Sequence, residues 1–129
     1  MGQFGKIELI KKIYDMTTVM ISYDEAVQLV TSVDPTILMI SKPACEPCRR
    51  IKADPSPIQA IGPHFAIFEI DFSNETEMDW ILSFNVIRFP TFLYIQNRRV
   101  QDQITTGQMD QVIQWIHRNY APRSLTDDF

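Results

Sequence analysis

Cys45 and Cys48 are the only cysteines in this 129-residue chain, and they stand at C-x-x-C spacing. Two cysteines scattered at random would fall three apart in roughly 1.5% of cases, so the spacing points to a joint role. A thiol attacks as its thiolate, and a free cysteine of pKa ~8.5 is mostly protonated at neutral pH. The N-terminus of a helix shifts that balance, because its unpaired amides and its dipole favour the anion. A helix beginning near Cys45 would leave that sulfur exposed and activated. Cys48, one turn further in, is expected to be more buried and neutral. Two such thiols can close a disulfide and exchange it through a mixed intermediate.

The alternatives are two reduced structural cysteines or half of a shared metal site. Two cysteines are too few for a secreted disulfide scaffold, and a four-cysteine zinc site lacks its other half. His64 and His117 lie too far along the chain for a compact finger, so they read as surface or capping residues and no metal is expected. The charge around the pair supports exchange. Lys42, Arg49, Arg50 and Lys52 stand against Glu46 alone, a basic segment in a chain of net charge −4. That local field favours thiolate at Cys45 and can steer an acidic partner.

Several elements must position these residues. Thr36 to Ser41 is a continuous apolar run between turn signals, the pattern of a strand buried on both faces, and it feeds into Lys42-Pro43-Ala44-Cys45-Glu46-Pro47-Cys48. Pro47 suits a first helical turn, where its missing N–H costs nothing, and Pro55 and Pro57 end or kink that helix. Upstream, the spacing of Ile7, Ile10, Ile13, Tyr14 and Thr17 predicts a short amphipathic helix over 5–17, followed by a strand over 18–21. Ser22-Tyr23-Asp24-Glu25 is a capping box that opens a helix carrying Ala26, Val27, Leu29, Val30 and Val33, stopped by Asp34-Pro35.

Downstream, strands are predicted over 65–72 and 91–95, with a helix over 74–84 between them. Asn97-Arg98-Arg99 turns the chain into a half-polar strand over 100–105, suited to an antiparallel edge, with the arginines at a solvated tip. Met109, Val112, Ile113, Ile116 and Tyr120 mark a closing helix, and residues 121–129 a polar tail. Trp80 and Trp115 are expected to pack under helices. The resulting order, α-β-α-β-α-β-α-β-β-α, implies an α/β fold: a mixed central sheet with helices on both faces and an N-terminal helical extension.

With these residues in place, the chain resembles the thioredoxin family over residues 18–120. The resemblance rests on the buried strand running into Cys45-Glu46-Pro47-Cys48, on Phe68-Glu69-Ile70-Asp71, on Asn85-Val86-Ile87-Arg88-Phe89-Pro90-Thr91, and on the hairpin and terminal helix after Gly107. It implies a thioredoxin-like fold and a protein-disulfide oxidoreductase with Cys45 attacking and Cys48 resolving. It implies also a cis Phe89–Pro90 peptide beside the sulfurs. Phe89, Pro90, Thr91 and Ala44 would then bind the substrate, while Glu46 and Pro47 shape the motif. No cofactor is implied beyond the redox-active disulfide. The partners would be a protein disulfide and a reductase as electron donor.

The departures are specific. Ala44 stands where the family has Trp, and Glu46 where it has Gly. The family's buried acid, the proton acceptor for the inner thiol, falls on Met39, and the lysine of the next strand falls near Ile67. A thiol pair without that acceptor implies slow release of the mixed disulfide, or a water or Glu46 in its place. The same departures support an alternative, a thioredoxin-fold binding or assembly module in which exchange is incidental.

Composition narrows the rest. At 129 residues with 45% apolar content, the chain is one domain able to bury its own core. An acidic balance with pI about 5.0 argues against a general nucleic-acid binder. No run approaches the ~18 apolar residues of a membrane span. Glu8 and Asp15 interrupt any signal-peptide pattern, and Met1-Gly2-Gln3-Phe4-Gly5-Lys6 lacks the myristoylation Ser or Thr. The expectation is a soluble, cytoplasmic monomer without membrane association.

Overall fold

The computed structural model describes residues 19–120; the helix expected over 5–17 and the tail over 121–129 lie outside the described residues. The elements run β1 (Val19–Ile21), α1 (Tyr23–Leu29), β2 (Thr36–Ser41), α2 (Glu46–Ala53), α3 (Ser56–Gln59), β3 (His64–Glu69), α4 (Glu75–Ser83), β4 (Thr91–Gln96), β5 (Arg99–Thr105) and α5 (Met109–Asn119). The five strands form one mixed sheet in the order β1-β3-β2-β4-β5. β3 lies parallel to both β1 and β2, whereas β2–β4 and β4–β5 are antiparallel.

The central strands are apolar in their middle residues and polar only at their ends, because both faces are covered and successive side chains point to opposite faces. Leu38, Ile40, Ala66, Phe68, Leu93 and Ile95 meet Ala26 and Leu29 of α1 and Ile81 of α4 on one face. Ile37, Met39, Phe65, Ile67, Phe92 and Tyr94 meet Ile51 of α2, Ile58 of α3 and Val112, Trp115 and Ile116 of α5 on the other. Both cysteines belong to this second cluster. The sheet therefore presents the thiol pair on the face covered by α2, α3 and α5.

The local signals act as their chemistry dictates. Ser22 and Glu25 form a reciprocal capping box, Glu25 N donating to Ser22 Oγ at 3.2 Å and Ser22 N to Glu25 Oε1 at 3.0 Å. Asn74 caps α4 by accepting from Glu77 N at 3.1 Å. The β4–β5 turn places both Asn97 and Arg98 at positive φ, 57° and 71°, the geometry a two-residue hairpin needs. Its amides donate to Val33 and Ser32 carbonyls at 3.0 and 2.8 Å, tying the exposed tip to the loop after α1. Trp115 is buried, and Trp80 packs edge-on against Tyr23, Phe68 and Phe84.

Two element ends and one whole helix differ most from what the sequence suggested. The helix expected to reach Val33 ends at Leu29, because Thr31 N and Ser32 N donate to carbonyls three residues back and Thr31 Oγ1 caps the Gln28 carbonyl at 2.7 Å. The strand expected to reach Phe72 ends at Glu69. Its neighbour β2 stops at Ser41, which takes one last bond from Ile70 N at 2.9 Å. Asp71 then turns the chain by accepting from Ser73 N and Oγ. Between Pro55 and Ala60, where no helix was expected, α3 forms with Pro57 in its first turn, the position at which proline favours a helix.

Candidate active site at the head of helix α2

β2 delivers the chain to the site through Lys42-Pro43-Ala44, and Ala44 takes a left-handed backbone with φ of 54°. Cys45 is the N-cap of α2, with extended φ and ψ of −113° and 107°. Its Sγ takes the role a Ser or Asp oxygen fills at other helices, accepting from Cys48 N at 3.3 Å. Its carbonyl accepts from Arg49 N at 3.0 Å, closing the first turn. The two residues form a disulfide with their Cα atoms 5.3 Å apart.

Exposure separates the two sulfurs less than expected. Cys48 is 1% exposed and Cys45 6%, so Cys45 is the more accessible but is itself buried in the disulfide form. The reason is geometric: its sulfur is turned inward, onto Cys48 and the Cys48 amide.

Beneath the pair the surroundings are apolar. Met39 is fully buried and lies opposite Ile67 on β3 and Phe92 on β4, in the same cluster as both cysteines. The Glu46 carboxylate, considered above as a proton acceptor, faces solvent at 64% exposure and lies 3.7 Å from Arg49. Lys52 is drawn away to Glu69 at 2.9 Å, so part of the positive charge counted in this segment is compensated.

The loop before β4 packs against the cluster that holds the cysteines. The Phe89–Pro90 peptide is cis, Pro90 is buried, and Phe89 packs partly buried against both core clusters. Thr91 Oγ1 donates to the Arg88 carbonyl at 2.7 Å and shares a 2.6 Å hydrogen bond with Thr105 Oγ1. Thr106 N reaches the Pro90 carbonyl at 3.3 Å. Ala44 is exposed, whereas Thr91 is fully buried and holds the loop from below. Thus Phe89, Pro90 and Thr91 stand together through one hydrogen-bonded turn.

One contributor escaped the sequence reading. Gly107 served there only to mark the start of the last helix, yet a Cβ on it would come within 2.5 Å of Pro47 Cβ. The β5–α5 loop therefore closes directly onto the middle of the C-x-P-C turn. A glycine standing between an edge strand and an amphipathic helix was the available signal.

Such an arrangement can perform thiol–disulfide exchange: a helix N-terminus holds one sulfur and a second sulfur stands within bonding reach. No protein-family model matches the sequence, and no curated protein does either. Solved structures do match. Thioredoxin f2 of Chlamydomonas reinhardtii superposes with TM-score 0.68 at 16% identity, covering 83% of this chain and 100% of that one. The long form of spinach chloroplast thioredoxin f gives 0.67 at 15% identity, over 86% and 91%. Fasciola hepatica thioredoxin gives 0.62 at 19% identity, over 81% and 100%. Similarity at such identities concerns backbone architecture. The chain has the thioredoxin-like fold, with its Cys45–Cys48 pair at the head of a helix.

Proposed function

We propose that the chain is a thiol–disulfide oxidoreductase of thioredoxin type acting on protein disulfides. The observation that carries this reading is Cys45 as N-cap of α2, its sulfur accepting the Cys48 amide and bonded to the Cys48 sulfur. In the dithiol form, the Cys45 thiolate attacks one sulfur of a substrate disulfide and the other leaves as a thiolate. Cys48 gives up its proton and attacks Cys45 Sγ, forming the Cys45–Cys48 bond and releasing the second substrate thiolate. Two electrons pass to the substrate, and both of its sulfurs leave as thiols once protonated by water. A dithiol donor returns the chain to its reduced form. Phe89, Pro90 and Ala44 line the path along which the substrate lies, Thr91 holds that loop from below, and Glu46 and Pro47 shape the turn. The reading needs no bound cofactor, and with it we propose a cytoplasmic, monomeric chain.

The test is the equilibrium of the Cys45–Cys48 disulfide against glutathione or dithiothreitol buffers, read by thiol alkylation. A reversible two-electron transition is expected. A potential near ~−270 mV would make the chain a donor, and one near roughly −120 to −180 mV an oxidant or isomerase. If no poise shifts the pair, the reading fails.

One observation favours a second reading, a binding or assembly module with incidental exchange: Met39 and Ile67 fill the space under the pair with apolar side chains. Cys48→Ser separates the two. It should trap a mixed disulfide with a partner under the first reading and trap nothing under the second, where Cys45→Ser would leave partner binding intact.

A further inference from the structure

The loop that carries Phe89 has a feature that exchange alone does not use. Phe72 is 49% exposed just after β3, and its ring meets Phe89 edge-on, centroids 5.9 Å apart at 89°. The Lys42 ammonium lies over the same Phe89 ring, 5.8 Å from its centroid. Lys42 belongs to the loop entering Cys45, so its charge is held beside the site by an aromatic face. Arg88, next in the chain to Phe89, is exposed. Among the described residues Lys42, Arg50 and Arg88 make no ion pair, whereas Arg49 and Lys52 are matched to Glu46 and Glu69; of the three, Lys42 is the one held on the aromatic pair. Asp71, the residue before Phe72, accepts from the Ser73 hydroxyl and amide at 2.6 and 3.0 Å and keeps its negative charge, but makes no ion pair with Lys42 or Arg88. Lys42 over the Phe89 ring and Arg88 next to Phe89 in the chain are thus two cations without an ion pair among the described residues, in a protein of net charge −4.

We infer that Lys42 and Arg88 select protein disulfides whose reacting cysteine is flanked by acidic side chains, with Phe72 and Phe89 holding the Lys42 ammonium in place; this rests on the oxidoreductase reading above. A carboxylate beside the substrate cysteine would meet Lys42 or Arg88 as the substrate lies along Phe89–Pro90. A lysine there would meet like charge. The acidic remainder of the surface repels the same substrate elsewhere, so the encounter is oriented towards the thiols. Field-assisted association changes on-rates by about 10- to 1000-fold and weakens with ionic strength. A two-charge site belongs at the lower end of that range.

The experiment uses the full chain, reduced with dithiothreitol and desalted, in single-turnover reactions. The substrates are two peptide dimers, each joined by one disulfide, with glutamates beside the cysteine in one and lysines in the other. Neutral 2-hydroxyethyl disulfide serves as a third substrate. The acidic dimer is expected to be reduced about 10-fold faster than the basic one at low salt, the ratio shrinking in high salt. The doubly substituted K42Q/R88Q protein should bring the ratio near one, and Lys42→Arg with Arg88 intact should keep it. A ratio near one in the unsubstituted protein, with hydroxyethyl disulfide still reduced, overturns the inference and leaves the exchange reading standing. A high ratio untouched by K42Q/R88Q overturns it too, because selection would then lie elsewhere. If even hydroxyethyl disulfide survives, the oxidoreductase reading falls and the inference falls with it.

Discussion

Gly107 sits against Pro47 so closely that a methyl group on the glycine would come within 2.5 Å of the proline Cβ. The contact joins the loop before α5 to the C-x-P-C turn, two segments far apart in the chain. Gly107→Ala therefore forces either the loop or the turn to move. Overpacking of this kind costs about 1–3 kcal/mol, to be read from urea unfolding of the oxidised protein. The same variant should shift the Cys45–Cys48 equilibrium in a glutathione buffer, because the displaced neighbour is Pro47 itself. Unchanged stability and equilibrium together would show that the loop accommodates a methyl freely.

Met39 lies in the cluster that holds both cysteines, and among the described residues the buried polar side chains are Thr36, Ser41 and Thr91, none of them a carboxylate that could take the Cys48 proton. In the wild-type chain that proton must leave to water or hydroxide, so resolution of a mixed disulfide at Cys45 should accelerate steadily with rising pH. Met39→Asp supplies an internal acceptor. It should speed resolution at neutral pH while costing stability, by about 1–3 kcal/mol for an incompletely partnered buried polar group. Stopped-flow decay of a glutathione adduct on Cys45 reads the rate, and urea unfolding reads the cost. A slower or unaltered decay in a folded variant would count against the account.

Asp102 on β5 binds the end of α5 to the sheet: its Oδ2 accepts from Trp115 Nε1 at 2.9 Å and from Asn119 Nδ2 at 3.0 Å. Partial burial pushes its carboxyl pKa up. Hydrogen bonds from Asn119, Trp115 and the Gln103 amide, with the Arg118 charge, outweigh that and hold it below the ordinary 3.8. A carboxyl lowered by folding contributes stability fully above its unfolded value. That contribution is lost as pH falls from about 3.8 through the lower folded value. Asp102→Asn should flatten this acid limb, and Asp102→Ala should cost about 1 kcal/mol through the lost hydrogen bonds. Trp115 fluorescence during acid titration follows the change; identical acid limbs in Asp102→Asn and wild type would contradict it.

Ser22 and Glu25 cap α1 reciprocally, and α1 buries Ala26 and Leu29 in the cluster opposite the thiols. Ser22→Ala should therefore lower stability by about 1 kcal/mol without altering the Cys45–Cys48 redox equilibrium. Denaturant unfolding and thiol alkylation provide the two readings. A redox shift without a stability change would reverse the assignment.

Features whose cause lies within a few neighbouring residues were legible in the sequence. The Ser22–Glu25 capping box depends on a three-residue spacing, and the two-faced burial of β2, β3 and β4 on apolar runs bounded by turn residues. Cys45 could be placed at a helix start because a buried strand led into it and Pro47 stood in the first turn. The half-polar pattern of 100–105 marked an edge strand, and β5 is one. Element ends were less legible, since β3 stops where its partner β2 runs out rather than where its own apolar residues do.

Within the site, the residue types at 45, 47 and 48 came from the sequence alone, because thiol chemistry follows from residue type and spacing. Tertiary structure decided which groups surround them. It set Gly107 against Pro47, laid Phe72 and Lys42 on Phe89, brought Thr91 to Thr105, and turned Glu46 outward to Arg49. It also buried Cys45 more deeply than its place at a helix end suggested. These contacts join segments brought together by the sheet order, or depend on side-chain orientation within a turn. Local periodicity carries information about a residue's own face, whereas the neighbour it meets is chosen by how the strands cross and where their hydrogen-bonding partners end.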